Sequence, residues 1–141
     1  LSKINPLDVY KETHIKTASA GQIIVMLYDE GIKQIDFAIE KLENKGKNLD
    51  EISNALIKAQ DIITELMASL DFEKGGEVAK NLFSLYMFFN QRLIDANLNK
   101  EIEPVKIVRR LFGELRGAWA EIVKKGITTD TNSSSGVNIA G

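Results

Sequence analysis

Four long stretches of this chain carry apolar residues three and four positions apart, and short breaks rich in glycine and asparagine separate them. That spacing is the period of an α-helix with one face turned to a core. No stretch alternates with the period of two that a half-buried strand requires. The first stretch runs from about Ala20 to Asn44, with Ile24, Leu27, Tyr28, Gly31, Ile35, Ala38 and Leu42 as its stripe. Ser19 followed by Gln22 forms the reciprocal pairing of a capping box before it. Gly46 can end it by taking a left-handed backbone. The second stretch, about Leu49 to Leu70, carries Ile52, Leu56, Ala59, Ile63 and Leu66, and Asn48 with Glu51 repeats the capping pattern. Gly75 and Gly76 make the next break and a hinge, because two glycines continue a helix only at a cost. The third stretch runs from about Glu77 to Leu98. The fourth runs from Pro104, which suits a first helical turn, to about Lys124, with Gly126 closing it and Val105, Val108, Leu111, Leu115, Ala118 and Ile122 as its stripe.

Four helices of similar length joined by short turns must be antiparallel neighbours. The expected fold is therefore all-α, an antiparallel up-down four-helix bundle. A length of 141 residues suits one domain with one core. Residues 1–126 form that domain together with an N-terminal arm, which holds a helical turn after Pro6. Residues 127–141 are polar and patternless and are expected to form a flexible tail. Val137 and Ile139 at its end leave open a tethered binding segment.

The chemistry-bearing residues exclude most catalytic designs. There is no cysteine and a single histidine, His14, so thiolate chemistry, sulfur metal sites and paired carboxylate–histidine di-metal sites are ruled out. His14 sits in the arm, where a phosphotransfer histidine would not. Asp29 and Glu30 fan apart, Asp61 and Glu65 share a face with no partner motif, and Asp71, Glu73 and Glu77 lack calcium-loop spacing. No set of groups converges as a catalytic site must, so the chain reads as no enzyme and needs no cofactor. A formal charge of −2 offers no field for nucleic acid. Arg109 and Arg116, seven apart, read instead as ion-pairing partners for a neighbouring helix or a bound peptide. No apolar run is long enough to insert into a membrane, and none resembles a signal peptide, so the cytoplasm is the expected compartment.

The apolar surface is wider than one bundle core needs. Ile23, Val25, Met26, Ile32 and Ile39 lie beyond the first stripe, and Leu82–Phe89 is apolar at all but one position. Ile107, Phe112, Trp119 and Val123 widen the fourth. A thick core would account for part of this surplus. Grooves for an amphipathic helix of another protein would account for the rest, with Val25, Ile32, Phe89 and Trp119 as exposed groove residues. Leu7 and Tyr10 in the arm would lie over such a groove when it is empty. Self-association of the bundle is the rival use of the same surface.

Several blocks in order resemble one family, the flagellin export chaperones called FliS. They are Thr17-Ala18-Ser19 before Met26-Leu27-Tyr28-Asp29 and Gly31, then Lys58-Ala59-Gln60-Asp61-Ile62-Ile63 with Glu65-Leu66 and Ser69-Leu70-Asp71. Gly75-Gly76-Glu77-Val78-Ala79 with Asn81-Leu82 and Leu85-Tyr86 follows, then Arg92-Leu93, Ala96-Asn97, Glu114-Leu115-Arg116 and Ala118-Trp119. Ala20 and Gly21 depart from the family's usual proline and charged residue. The resemblance implies a cytoplasmic, non-catalytic bundle that binds the disordered C-terminal segment of flagellin. It would prevent early polymerisation and present its cargo to the flagellar type III export apparatus. It also implies, in some bacteria, a second protein that regulates flagellin level and contacts the chaperone. Tyr10 matches a leading tyrosine that covers the groove in the free protein.

Overall fold

The computed structural model describes residues 19–44 and 47–129. The arm with Leu7, Tyr10 and His14, the expected stop at Gly46 and the chain after Thr129 lie outside the described residues. Four helices follow one another: α1 (Ala20–Glu43), α2 (Leu49–Ala68), α3 (Phe72–Asn99) and α4 (Ile102–Thr129). No strand occurs among the described residues. Cross-helix contacts give the direction of each neighbour. Along α1 and α4, Gly21 meets Val123, Asp29 meets Arg116, Asp36 meets Arg109 and Glu43 meets Lys106, so one number rises as the other falls. The same descending register joins Gly31 to Ile62 and Lys41 to Glu51 across α1 and α2, and Ser53 to Asn97 and Thr64 to Asn90 across α2 and α3. Neighbours are therefore antiparallel, in the ring order α1, α2, α3, α4. The closest packing is that of α1 on α2 and α4, whereas α3 sits more loosely between its two neighbours.

Each helix carries a repeat of alternating three- and four-residue steps, and this repeat selects the core. In α1 it runs through Ile24, Tyr28, Gly31, Ile35, Ala38 and Leu42, and in α2 through Ile52, Leu56, Ala59, Ile63 and Leu66. In α3 it is Ala79, Leu82, Tyr86, Phe89, Leu93 and Ala96, and in α4 it is Val105, Val108, Phe112, Leu115 and Trp119. The expected α4 stripe was therefore out of phase at two points. Phe112 and Trp119 replace Leu111 and Ala118, because only they keep the alternating step from Val108 onward. Gly31 gives Phe112 its place: a Cβ there would lie 2.8 Å from ring atom Cε2. Within the core the hydroxyls of Tyr28 on α1 and Tyr86 on α3 lie 2.6 Å apart in a hydrogen bond.

The helix ends meet expectation at some positions and differ from it at others. Ser19 and Gln22 do form the capping box, with bonds of 2.9 and 3.1 Å. Asn48 makes no side-chain cap bond, because at φ −107° and ψ 77° it lacks the extended geometry of Ser19. Helix α3 starts five residues early, where the Asp71 carboxylate accepts from the amides of Glu73 and Lys74, both at 3.0 Å. At Gly76, with φ 54° and ψ −127°, the helical geometry breaks where the glycine pair was expected to make a hinge, and the regular helix resumes after it. At its other end Lys100 takes a left-handed backbone with φ 55°. Its ammonium donates to the carbonyl and side-chain oxygens of Asn97 at 2.7 and 2.8 Å and to Ser53 Oγ at 3.1 Å. Gly126 does not end α4, because its backbone stays helical and the helix continues to Thr129.

Candidate functional site

The four seams of the bundle are closed by different chemistry. Between α1 and α4, Arg116 donates through Nε and Nη2 to the two oxygens of Asp29 at 2.7 and 3.3 Å. Arg109 Nε donates to Asp36 at 2.6 Å, and Lys106 pairs with Glu43 at 3.6 Å. Asp29 also raises the pKa of Arg116, chiefly through that hydrogen bond. Between α1 and α2, Lys41 pairs with Glu51 at 3.5 Å and stands over the Phe37 ring. The α1–α2 cleft, about 610 Å³, is lined by charged Lys33, Asp36, Glu40, Glu51 and Lys58 together with Phe37 and Ala55.

The two seams flanking α3 are of another kind. Its ion pairs, Glu77–Lys80 and Arg92–Asp95, run along the helix and not across to a neighbour. On the α2 side no ion pair crosses among the described residues; the crossing contacts are hydrogen bonds, including that of Lys100 to Ser53. Ser53 Oγ donates to Asn97 at 3.0 Å, and Asn90 Nδ2 reaches Thr64 at 3.4 Å. Met87, Ile94 and Leu98 stand exposed on this flank, with Leu98 77% exposed at its end. Ile57 and Leu49 are exposed on the facing flank of α2. A groove of about 430 Å³ lies between Ile57 and Gln60 on one wall and Ile94, Asn97 and Leu98 on the other. On the opposite flank of α3, Phe88 is exposed with the Arg92 guanidinium 5.9 Å from its ring centre. Ile107 is exposed on the flank of α4 turned away from α1. Isolated exposed apolar groups are ordinary, but rows of them along one helix mark a contact surface.

This geometry corrects the expected groove residues. Phe89 is 0% exposed and packs edge-on against Phe112 in the core, with ring centres 5.8 Å apart. Trp119 is 6% exposed and belongs to the core cluster. Both are core residues because both fall on the three–four repeat. Val25 and Ile32 are half-buried and pack on the core in the seam zipped by Asp29 and Asp36, so the surplus on α1 thickens the core. The exposed apolar side chains lie mainly on α2, α3 and α4, with Phe37 on α1 also 39% exposed. Leu49, Ile57, Ile94 and Leu98 were missed, although a signal existed for three of them: Ile57, Ile94 and Leu98 are large apolar residues outside their helix's repeat, while Leu49 is on the repeat but exposed at the first position of α2.

The site has no reactive chemistry among the described residues. No group of three His, Asp or Glu side chains could hold a metal ion. Burial pushes the Tyr28 and Tyr86 hydroxyls well above their ordinary pKa of 10.0, and both lie inside the core, out of reach of a substrate. No helix of the described residues is long and apolar enough to cross a membrane.

Comparison with known proteins points in one direction. A family model described as flagellar protein FliS matches residues 3–126. A flagellar secretion chaperone of Salmonella typhimurium is 36% identical over 115 residues, 81% of this chain and 84% of the relative. Its counterpart in Bacillus subtilis is 28% identical over 94% of this chain and 96% of the relative. That of Escherichia coli is 32% identical over 78% and 80% respectively.

Proposed function

The chain belongs to the FliS family of flagellar secretion chaperones, and we propose that it binds the disordered C-terminal segment of flagellin along the apolar flanks of α3. As a chaperone it works by stoichiometric binding, with no catalytic step. The observation that carries the reading is Ile94 and Leu98 facing Ile57 across an open groove, with Met87 exposed further along the same flank, whereas the α1–α4 seam is bridged by ion pairs. An amphipathic helix matches such a row with residues at three- and four-residue spacing. Each large apolar side chain fully buried contributes about 1.5–3 kcal/mol. A disordered ligand loses conformational freedom as it folds on the surface, so several such contacts are needed, and the row on the α2 side of α3 with Phe88 and Ile107 on the other side supplies them.

Holding that segment would keep flagellin from polymerising in the cytoplasm and deliver it to the flagellar export apparatus. Leu7 and Tyr10 remain proposed as the cover of the empty groove. A second protein that regulates flagellin level is a further proposed partner. Light scattering after size-exclusion chromatography tests the reading against self-association. A one-to-one complex with flagellin and a monomeric free chain support it. A tight dimer that excludes flagellin overturns it.

A further inference from the structure

Phe72 and Phe83 belong to the same helix, yet their ring centres are 5.8 Å apart at an interplanar angle of 67°. Eleven residues of unbroken α-helix would separate their Cα atoms by about 16 Å, too far for that contact. The break at Gly76 brings them together by folding the first turn of α3 back along its own helix. Gly76 has φ 54° and ψ −127°, a region that glycine enters freely and L side chains avoid. A Cβ built there meets nothing within 4 Å, so backbone conformation alone calls for glycine. The folded turn is short and held by few contacts: the Gly75 amide on the Asp71 carbonyl at 2.7 Å, the Asp71 cap, and the Phe72 ring. Phe72 itself stays 47% exposed. Phe83 begins the line that continues through Met87, Ile94 and Leu98 on the α2 side of α3, since all four positions share that flank at helical spacing.

We propose that Phe72–Gly75 is a strap, hinged at Gly76, that covers Phe83 at one end of the α3 docking row and lifts when a flagellin helix takes the place of the Phe72 ring. The proposal rests on the chaperone reading and adds regulation of the same site. The strap competes with cargo for one aromatic contact, so its removal favours binding. Aromatic pairs of this kind contribute about 0.5–1.5 kcal/mol, which corresponds to about a two- to tenfold change in affinity.

Two variants test it in the full chain, by hydrogen exchange in the free protein and by calorimetry with a flagellin C-terminal peptide. Phe72→Ala removes the cover and leaves the backbone free to fold. Gly76→Ala opposes the fold and leaves the Phe72 ring in place. Both should speed exchange at residues 72–77, leave Tyr86–Ala96 protected, and lower the peptide Kd about two- to tenfold. In the wild type, peptide binding should itself speed exchange at residues 72–75. Unchanged exchange in both variants, or unchanged or weaker peptide binding in both while the wild type binds, overturns the strap. A wild-type chain that binds no peptide defeats the chaperone reading first, and the strap's role falls with it.

Discussion

Gly31 of α1 lies against the ring of Phe112 of α4 so closely that a Cβ on Gly31 would stand 2.8 Å from Cε2 and 3.2 Å from Cζ. Ile62 of α2 closes the same spot at 3.4 Å. Three helices therefore meet at a position with no room for a methyl group. Gly117 of α4 is also helical, but a Cβ there meets nothing within 4 Å.

The two glycines should respond with opposite signs to alanine. Alanine stabilises a helix interior by about 1 kcal/mol relative to glycine, and overpacking a core costs about 1–3 kcal/mol. Gly31→Ala should lose about 1 kcal/mol net and Gly117→Ala should gain up to about 1 kcal/mol. Urea unfolding followed by circular dichroism reads both. Equal gains at the two sites would show that α1 and α4 are not in close contact at Gly31.

The Tyr28–Tyr86 bond predicts a penalty for removing one hydroxyl. Tyr86→Phe leaves the Tyr28 hydroxyl without that partner in the core and should cost about 1–3 kcal/mol. A double-mutant cycle with Tyr28→Phe should return a coupling of about 1 kcal/mol. Additive losses would mean that the two hydroxyls do not bond.

The same pair sets a pH dependence. Burial raises both hydroxyl pKa values, with Tyr86 further raising that of Tyr28. The unfolded chain therefore loses these protons near the ordinary value of 10.0 while the folded chain keeps them. The stability from this source is fully present below pH 10 and falls as pH rises above it. Urea midpoints between pH 8 and 11 should decline more steeply in the wild type than in Tyr28→Phe/Tyr86→Phe. Parallel declines would contradict a buried, protonated pair.

The ion pairs of the α1–α4 seam should matter little for stability. Asp29, Asp36, Arg109 and Arg116 are all substantially solvent-exposed, and such pairs contribute about 0.2–1 kcal/mol. Asp36→Asn should shift stability by no more than about 1 kcal/mol, and the difference should shrink at 1 M salt, where the screening length is about 3 Å. A larger, salt-insensitive loss would place the pair in the core.

How far the chain could be read before its structure depended on which physical rule was in play. Helix number, order and pairing followed from periodicity, and the α1 and α2 stripes were legible because their residues keep the three–four step without a break. In α3 and α4 the apolar runs are broad enough to fit two phases. Hydrophobicity alone cannot then choose between Leu111 and Phe112, or say that Phe89 points inward and Met87 outward. The strict three–four step does choose, and it places Phe89 and Trp119 in the core and Ile94 and Leu98 outside it. The folded first turn of α3 was not legible in the same way. Two glycines announce a break, but the contact of Phe72 with Phe83 depends on the backbone angles that Gly76 adopts.

The central claim is that the open flank of α3 is the working surface. Ile94 and Leu98 are exposed and outside the core repeat, so Ile94→Asp/Leu98→Asp should leave helicity and thermal unfolding close to wild type. Titration calorimetry of a flagellin C-terminal segment into the two proteins decides the matter. One-to-one binding by the wild type at micromolar concentrations, with the variant weakened at least about tenfold, is the predicted result. Equal binding by the two proteins, or no binding by the wild type, would contradict it.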